Sequence, residues 1–206
     1  MLKLFGHPVS IHSRKAHFAL EETGHPHSYQ FVDLMTGEHR KPEYLAINPS
    51  GKVPVLQDGN FQLPESGAIL RYLGEHYGNG KILPEDKQER ARVDQWLFWQ
   101  ASEAGPTLMK PFYIQFMARM QGQQADEAAF QQAVQACDPV FEHLDSALAG
   151  KKFLVGSSLS IADIAIAESI FQLGMVGVSV SKFPNLDSWY KGINERDAFK
   201  KTRPPA

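Results

Sequence analysis

Ser10 and Ser13 stand in the string FGHPVSIHSRKAHFAL, where a short apolar run gives way to a helical pattern. A hydroxyl at such a junction caps the helix, or it donates a hydrogen bond to an anion held against the free amides of the first turn. Further chemistry lies in NPSGKVPVLQDGNFQLPESGAILRYL. Val53-Pro54 opens what otherwise reads as a strand. A cis bond there would expose the Val53 N–H and C=O to an extended peptide. Glu65-Ser66 follows where a helix begins. Uncapped amides and the Ser66 hydroxyl suit a carboxylate, and Glu65 suits an ammonium. Together they describe a receptor for an α-amino-acid head group beside a backbone that pairs with a peptide. The plainer alternatives are ordinary helix caps at Ser10 and Ser66.

The elements that must hold these residues follow from pattern. Up to about Tyr77 the chain runs LKLF, a helix from Ser13 to Thr23, SYQFVDL, VPVLQ and FQLP, then a helix from Ser66 to His76. This order reads as one α/β unit, with Asp58-Gly59 as the hairpin signal. GNGKILPED has the composition of a linker. Beyond it apolar residues recur at helical spacing from Gln88 to Phe116, with bends expected at Gly105-Pro106 and Pro111. A second helix is expected through Phe130, Val134, Cys137, Phe141, Leu144 and Leu148, kinked at Pro139. In LSIADIAIAESIFQL, Ser160 reads as an N-cap with Asp163 completing a capping box and Leu159 stapled on Ile164. That helix is apolar almost all round, so it belongs at the buried centre of an all-helical unit, and Asp163 is assigned to the cap rather than to catalysis. The expected domains are 1–78 and 88–206, joined by 79–87.

Composition narrows the function classes. The 206 residues are 43% hydrophobic and 21% charged, in the soluble globular range. Twenty-one basic against 23 acidic residues give −2, and no basic cluster extends into a stripe, which argues against nucleic acid. A single cysteine, Cys137, excludes an internal disulfide and fits a reducing compartment. No apolar run approaches the roughly 18 residues of a spanning helix, and His7 and Pro8 come too early for a signal peptide. The expected location is therefore the cytoplasm, with no membrane partner. The histidines lack a spacing such as His-Glu-x-x-His, so no metal is assigned.

NPSGKVPVL followed by LPESGAILRYL, with SLSIADIAIAE downstream, resembles the glutathione transferase family over essentially the whole chain. The resemblance implies a thioredoxin-like N-terminal domain of order βαβ-α-ββα and an all-helical C-terminal domain. It implies that Pro54 is cis, that Val53 pairs with the cysteinyl backbone of glutathione, and that Glu65 and Ser66 hold its γ-glutamyl end. No Tyr precedes Tyr29 and no Cys precedes Cys137, so activation of the glutathione sulfur falls to Ser10 or Ser13. GHPVS is similar to the phi-type pattern of plants and its bacterial relatives, which favours Ser10. His39, in GEHRKPEY, matches a phi-type position that contacts the glycine carboxylate, and Lys52 would help by charge.

Serine is too weak a base to take the thiol proton and would instead donate a hydrogen bond to the thiolate. A free thiol of pKa about 8.5 is about 3% ionised at pH 7, and lowering it by ~2 units raises that to roughly three-quarters. The second substrate is expected between the domains, against Pro8, Val9 and Ile11 on one side and Met109, Phe112, Tyr113 and Phe116 on the other. Such an apolar pocket suits hydrophobic electrophiles. The family implies glutathione as co-substrate with no tightly bound cofactor, and a homodimer. Ser50, however, stands where an aromatic often locks into the partner subunit. The alternatives are a glutathione-dependent peroxidase or isomerase on the same fold, and a non-catalytic interaction protein. Maleylacetoacetate-type isomerisation lacks its Ser-Ser-Cys-Ser run here, and thiol-disulfide exchange lacks a cysteine at the first helix.

Overall fold

The computed structural model describes residues 1–204, so the last two residues of the expected helical domain, 205 and 206, lie outside the described residues. Strand β1 (Leu2–Gly6) alternates buried and half-buried side chains, as a strand covered more fully on one face should. It pairs in parallel with β2 (His27–Phe31) and antiparallel with β3 (Val55–Asp58), which pairs antiparallel with β4 (Phe61–Pro64). The sheet order is β2-β1-β3-β4. The hairpin turn is Gly59-Asn60, one residue later than Asp58-Gly59, with Gly59 in the left-handed region at φ +57°. Asp58 remains in the ladder because it pairs with both Leu2 and Phe61, while its carboxylate accepts the hydroxyls of Tyr72 and Tyr77.

Helix α1 (Ile11–Thr23) starts at Ser10 and stops at Gly24, whose φ of +69° ends the helix. A 3₁₀ turn (Glu38–Arg40) and the short α2 (Pro42–Leu45) lead to β3, and α3 (Ser66–His76) follows β4 and packs on α1. Register decides where these helices begin. Phe5 pairs with Val55 and Val55 with Pro64. The exit of β1, the entry of β3 and the exit of β4 therefore share one edge of the sheet. His7 to Ser10, Val53-Pro54 and Glu65-Ser66 gather there, beneath the N-termini of α1 and α3.

The remainder of the described chain is helical. Asp86 caps α4 (Lys87–Trp99) by accepting from the amides of Gln88 and Glu89 at 2.9 Å each. The bend expected at Gly105-Pro106 takes the form of a π segment, Gln100–Ala104, in which the Gly105 amide reaches back to Gln100 O; α5 (Gly105–Met120) continues from it. Pro111 sits inside α5 without ending it. It has no N–H for Thr107 O, and that carbonyl instead faces the thiol of Cys137 at 3.8 Å.

The single kinked helix expected from Phe130 to Leu148 is two helices, α6 (Glu127–Gln135) and α7 (Asp138–Leu148). Pro139 cannot donate to Gln135 O and its ring would crowd that carbonyl, so the chain breaks before it and Pro139 takes the first turn of α7. Helix α8 (Ile161–Gly174) is buried on nearly every side, as its composition requires, and the Ser160–Asp163 capping box is present. Helices α9 (Pro184–Asn194) and α10 (Asp197–Lys201) complete the order. Among the described residues no helix is long and apolar enough to cross a membrane.

One core runs through both parts, from Leu4, Phe18 and Leu70 to Leu108, Ile164 and Ile170. At its polar seam Arg14, 1% exposed, donates to Glu168 at 2.8 Å and to Gln172 of α8, and also to the carbonyls of Pro8 (3.1 Å) and Val9 (2.8 Å).

Candidate active site

Helix α3 begins without a side-chain cap. Its preceding residue, Glu65, has φ +72°, a left-handed conformation that typically costs on the order of 1–3 kcal/mol for a non-glycine residue. The amides of Ser66, Gly67 and Ala68 are left for an external acceptor, since the first turn of a helix has no internal partners for them. All three residues, with Glu65, line a cleft of about 880 Å³. Ile11, His12 and Lys15 of α1 form the adjoining wall, and Met109 and Tyr113 of α5 stand among the residues opposite. His12 Nδ1 lies 3.1 Å from Ser66 Oγ, so the first turns of α1 and α3 are in direct contact. Loss of solvation, reinforced by Lys15, Arg14 and Lys52, holds the His12 imidazole well below its ordinary pKa.

Ser10 Oγ accepts the Ser13 amide at a long 3.4 Å, which is the capping role, and Ser10 itself is half-buried one residue before the cleft wall. Ser13 is fully buried, with its Oγ accepting from the His7 amide at 3.2 Å. The Val53-Pro54 bond is cis. The Lys52 carbonyl just before it is held by Tyr44 Oη (2.8 Å) and Asn48 Nδ2 (2.7 Å), while the Lys52 side chain is exposed. His39 packs against the same loop: its carbonyl lies 3.1 Å from where a Cβ on Gly51 would sit. His39 Nδ1 is sealed from solvent without a hydrogen-bond partner.

Of the residues expected around a second substrate, Ile11, Met109 and Tyr113 line the cleft. Pro8, Val9, Phe112 and Phe116 do not. Pro8 and Val9 are turned to Arg14 through their carbonyls, whereas Phe112 is buried and stacks on Phe116 with centroids 5.6 Å apart. Helical phase explains the division, because Met109, Tyr113 and Met117 recur every four residues on one face of α5 and Phe112 lies on another.

His12, Lys15 and Gln100 of the cleft wall did not emerge from the sequence. The signal for Lys15 was its position four after Ile11 on α1. Lys15 is 2% exposed and has no hydrogen-bond or ion-pair partner among the described residues. Burial lowers its pKa to about 7, with Glu168 opposing and Arg14 adding to the shift. An unfolded lysine titrates near pH 10.4. Between about 7 and that value the unfolded chain binds the extra proton, so stability rises with pH across this window and the cost of the buried charge is full below it. Lys15→Met should therefore raise the melting temperature at pH 6 and confer progressively less toward pH 10. A gain of equal size at both pH values in a thermal-denaturation series would show that the amine charge is not its source.

A four-stranded mixed sheet with flanking helices, a cis-proline strand entry, an uncapped helix facing a cleft and a helical second part define a thioredoxin-like unit joined to an all-helical one. The family profile described as "Glutathione S-transferase, N-terminal domain" matches residues 4–81, and "Glutathione S-transferase, C-terminal domain" matches residues 102–197. Glutathione S-transferase GstB of Escherichia coli K12 is 33% identical over 205 residues, covering 98% of this chain and 97% of that protein. The structure of glutathione transferase F7 from Populus trichocarpa superposes with a TM-score of 0.90 at 29% identity, covering 98% and 97% of the two chains. That of glutathione S-transferase-I bound with lactoylglutathione gives 0.89 at 28% identity, with the same coverage. The chain belongs to the glutathione S-transferase family, and it is an enzyme of that family.

Proposed function

We propose that this enzyme binds glutathione at the shared N-termini of α1 and α3, stabilises its sulfur as a thiolate and transfers it to hydrophobic electrophiles in the cleft. The observation that carries the reading is the uncapped start of α3, where three free amides, the Ser66 hydroxyl and the Glu65 carboxylate meet the cleft. A γ-glutamyl end has the matching carboxylate and ammonium. Val53 would pair with the cysteinyl backbone, and His39, whose carbonyl packs on Gly51, together with Lys52 is assigned to the glycine carboxylate. Ser10 is favoured over Ser13 as the thiolate donor because the Ser13 hydroxyl is buried and already engaged. The apolar side chains of Ile11, Met109 and Tyr113 are the proposed seat of the electrophile. A cytoplasmic homodimer, without a tightly bound cofactor, accompanies this reading.

The protein should be retained on immobilised glutathione. Ser66→Ala should weaken binding by about ten- to a hundredfold, since a hydrogen bond to a charged group typically contributes about 1.5–3 kcal/mol. Unchanged affinity in both Ser66→Ala and Glu65→Ala, measured by calorimetry, would place the site elsewhere. A second reading, a glutathione binder without turnover, draws on the capping role of the Ser10 hydroxyl.

A further inference from the structure

His17 and Glu21 lie one turn apart on α1, and His27 opens β2 beside them. His17 Nε2 is 3.7 Å and His27 Nε2 3.4 Å from the same atom, Glu21 Oε1, and the three ligand atoms lie within 4.8 Å of one another. On the other side of its ring, His27 Nδ1 is 2.9 Å from the carbonyl of His25. A carbonyl only accepts, so Nδ1 carries a proton. In neutral His27 the Nε2 lone pair is then 3.4 Å from a carboxylate oxygen, two acceptors side by side without hydrogen-bond alignment. The contact calls for a cation between them, either a second proton on the ring or a metal ion.

Several features favour the metal. Two imidazole nitrogens, those of His17 and His27, converge on this one carboxylate oxygen. Lys201 Nζ holds the other carboxylate oxygen, Glu21 Oε2, at 3.2 Å and leaves Oε1 directed at the two rings. The His17 ring packs on Tyr29 with centroids 4.6 Å apart and meets His27 edge to face at 5.8 Å. Tetrahedral zinc at about 2.0–2.2 Å from nitrogen and oxygen ligands spaces those ligands about 3.3–3.5 Å apart; the two nitrogen–oxygen separations are 3.4 and 3.7 Å, and the whole set closes within 4.8 Å. The His25 carbonyl supplies the outer partner that usually fixes the tautomer of a metal-bound histidine. The side chains are 20%, 19% and 13% exposed for His17, Glu21 and His27, so an ion can enter and water can complete its coordination.

We propose that His17 Nε2, Glu21 Oε1 and His27 Nε2 form a binding site for one divalent ion of borderline softness, Zn²⁺ above all. Two imidazoles and one carboxylate oxygen favour this class over Mg²⁺ or Ca²⁺, which take predominantly oxygen ligands. None of the three residues lines the cleft, so the ion is a clasp between α1 and β2, linked to α10 through Lys201. The pattern is invisible to a linear motif because α1 supplies His-x-x-x-Glu and the third ligand arrives only after the turn into β2.

The test uses the full chain freed of metal by chelator and dialysis. Co²⁺ should give a visible absorption band of four- or five-coordinate intensity that saturates at one equivalent, and Zn²⁺ should displace it. His17→Gln and His27→Gln, checked for folding by circular dichroism and for retention on immobilised glutathione, should each weaken binding by more than ~tenfold. Saturable binding of equal strength in the wild type and both variants would assign the ion to other histidines and overturn the proposal. Absence of both the Co²⁺ band and Zn²⁺ uptake would leave an imidazolium–carboxylate pair and also overturn it. Retention on glutathione reports separately on the transferase reading.

Discussion

Asp163→Ala is expected to be the most destabilising of the substitutions considered, lowering stability by on the order of 3–5 kcal/mol. A helix cap alone contributes about 1 kcal/mol. Asp163 does more than cap α8, because its fully buried carboxylate accepts from the Ser160 amide (2.9 Å), the Ser160 hydroxyl (2.7 Å), the Leu154 amide (2.9 Å) and the Trp189 indole (3.0 Å). Alanine would strand several donors in the core at about 1–3 kcal/mol each, partly relieved by rotation of the hydroxyl. For a chain of this size that corresponds to a fall in melting temperature of roughly 6–20 °C. Asp163→Asn, which keeps the shape and one acceptor oxygen, should lie between. Denaturant titration of the three proteins checks this, and an alanine variant within 0.5 kcal/mol of wild type would show that water or rearrangement replaces the carboxylate.

Ser10→Ala should have the largest effect on turnover. If the hydroxyl donates to a bound thiolate, its loss raises the thiol pKa and lowers the rate at neutral pH by about tenfold to several hundredfold, with glutathione affinity little changed. Part of the lost rate should return as pH rises and the thiol ionises unaided. Because the same hydroxyl caps α1, the variant should also lose about 0.5–2 kcal/mol of stability. Ser10→Thr keeps a hydroxyl and should restore both, whereas Ser10→Gly, which caps nearly as well without one, should regain the stability and not the turnover. Ser13→Ala should chiefly reduce stability, by leaving the His7 amide without its acceptor. Thiolate-absorbance titrations of the glutathione complexes decide the matter. A curve unshifted in Ser10→Ala but shifted in Ser13→Ala would transfer the role, and an ordinary thiol pKa in the wild type would favour the binder without turnover.

Features set by neighbours along the chain were legible in advance. The Ser160–Asp163 box, the helix beginning at Ser66 and the β3–β4 hairpin each depend on residues a few positions apart, and each was found within a residue of its expected place. Misreadings arose where one interaction displaced another. The ladder partners of Asp58 moved the turn by one residue, and Pro139 broke a helix that apolar spacing had continued. The cleft-facing side of α5 was harder still. The π segment at Gln100–Ala104 adds a residue to one turn and so rotates everything after it, which disconnects the phase of α5 from that of α4. Lys15 and His27 acquire their meaning from partners brought by the fold, and no local pattern encodes those meetings.

The guanidinium of Arg14 spans two structures of different origin in the chain: the carbonyls of Pro8 and Val9, just ahead of Ser10, and the carboxylate of Glu168 in α8, 154 residues away. The segment presenting Ser10 thus takes its shape from a cation whose counter-charge is encoded in the other half of the gene. Recombination between relatives at the junction after α3 would be tolerated only where both parents carry an acid at the α8 position. A chimera lacking it would bury the guanidinium at the seam without a counter-charge, held by neutral acceptors alone, and loosen the very turn it supports. Arg14 and Glu168 should therefore be inherited as a unit, and libraries that shuffle the two halves should lose function at this pair before they lose it in the cleft.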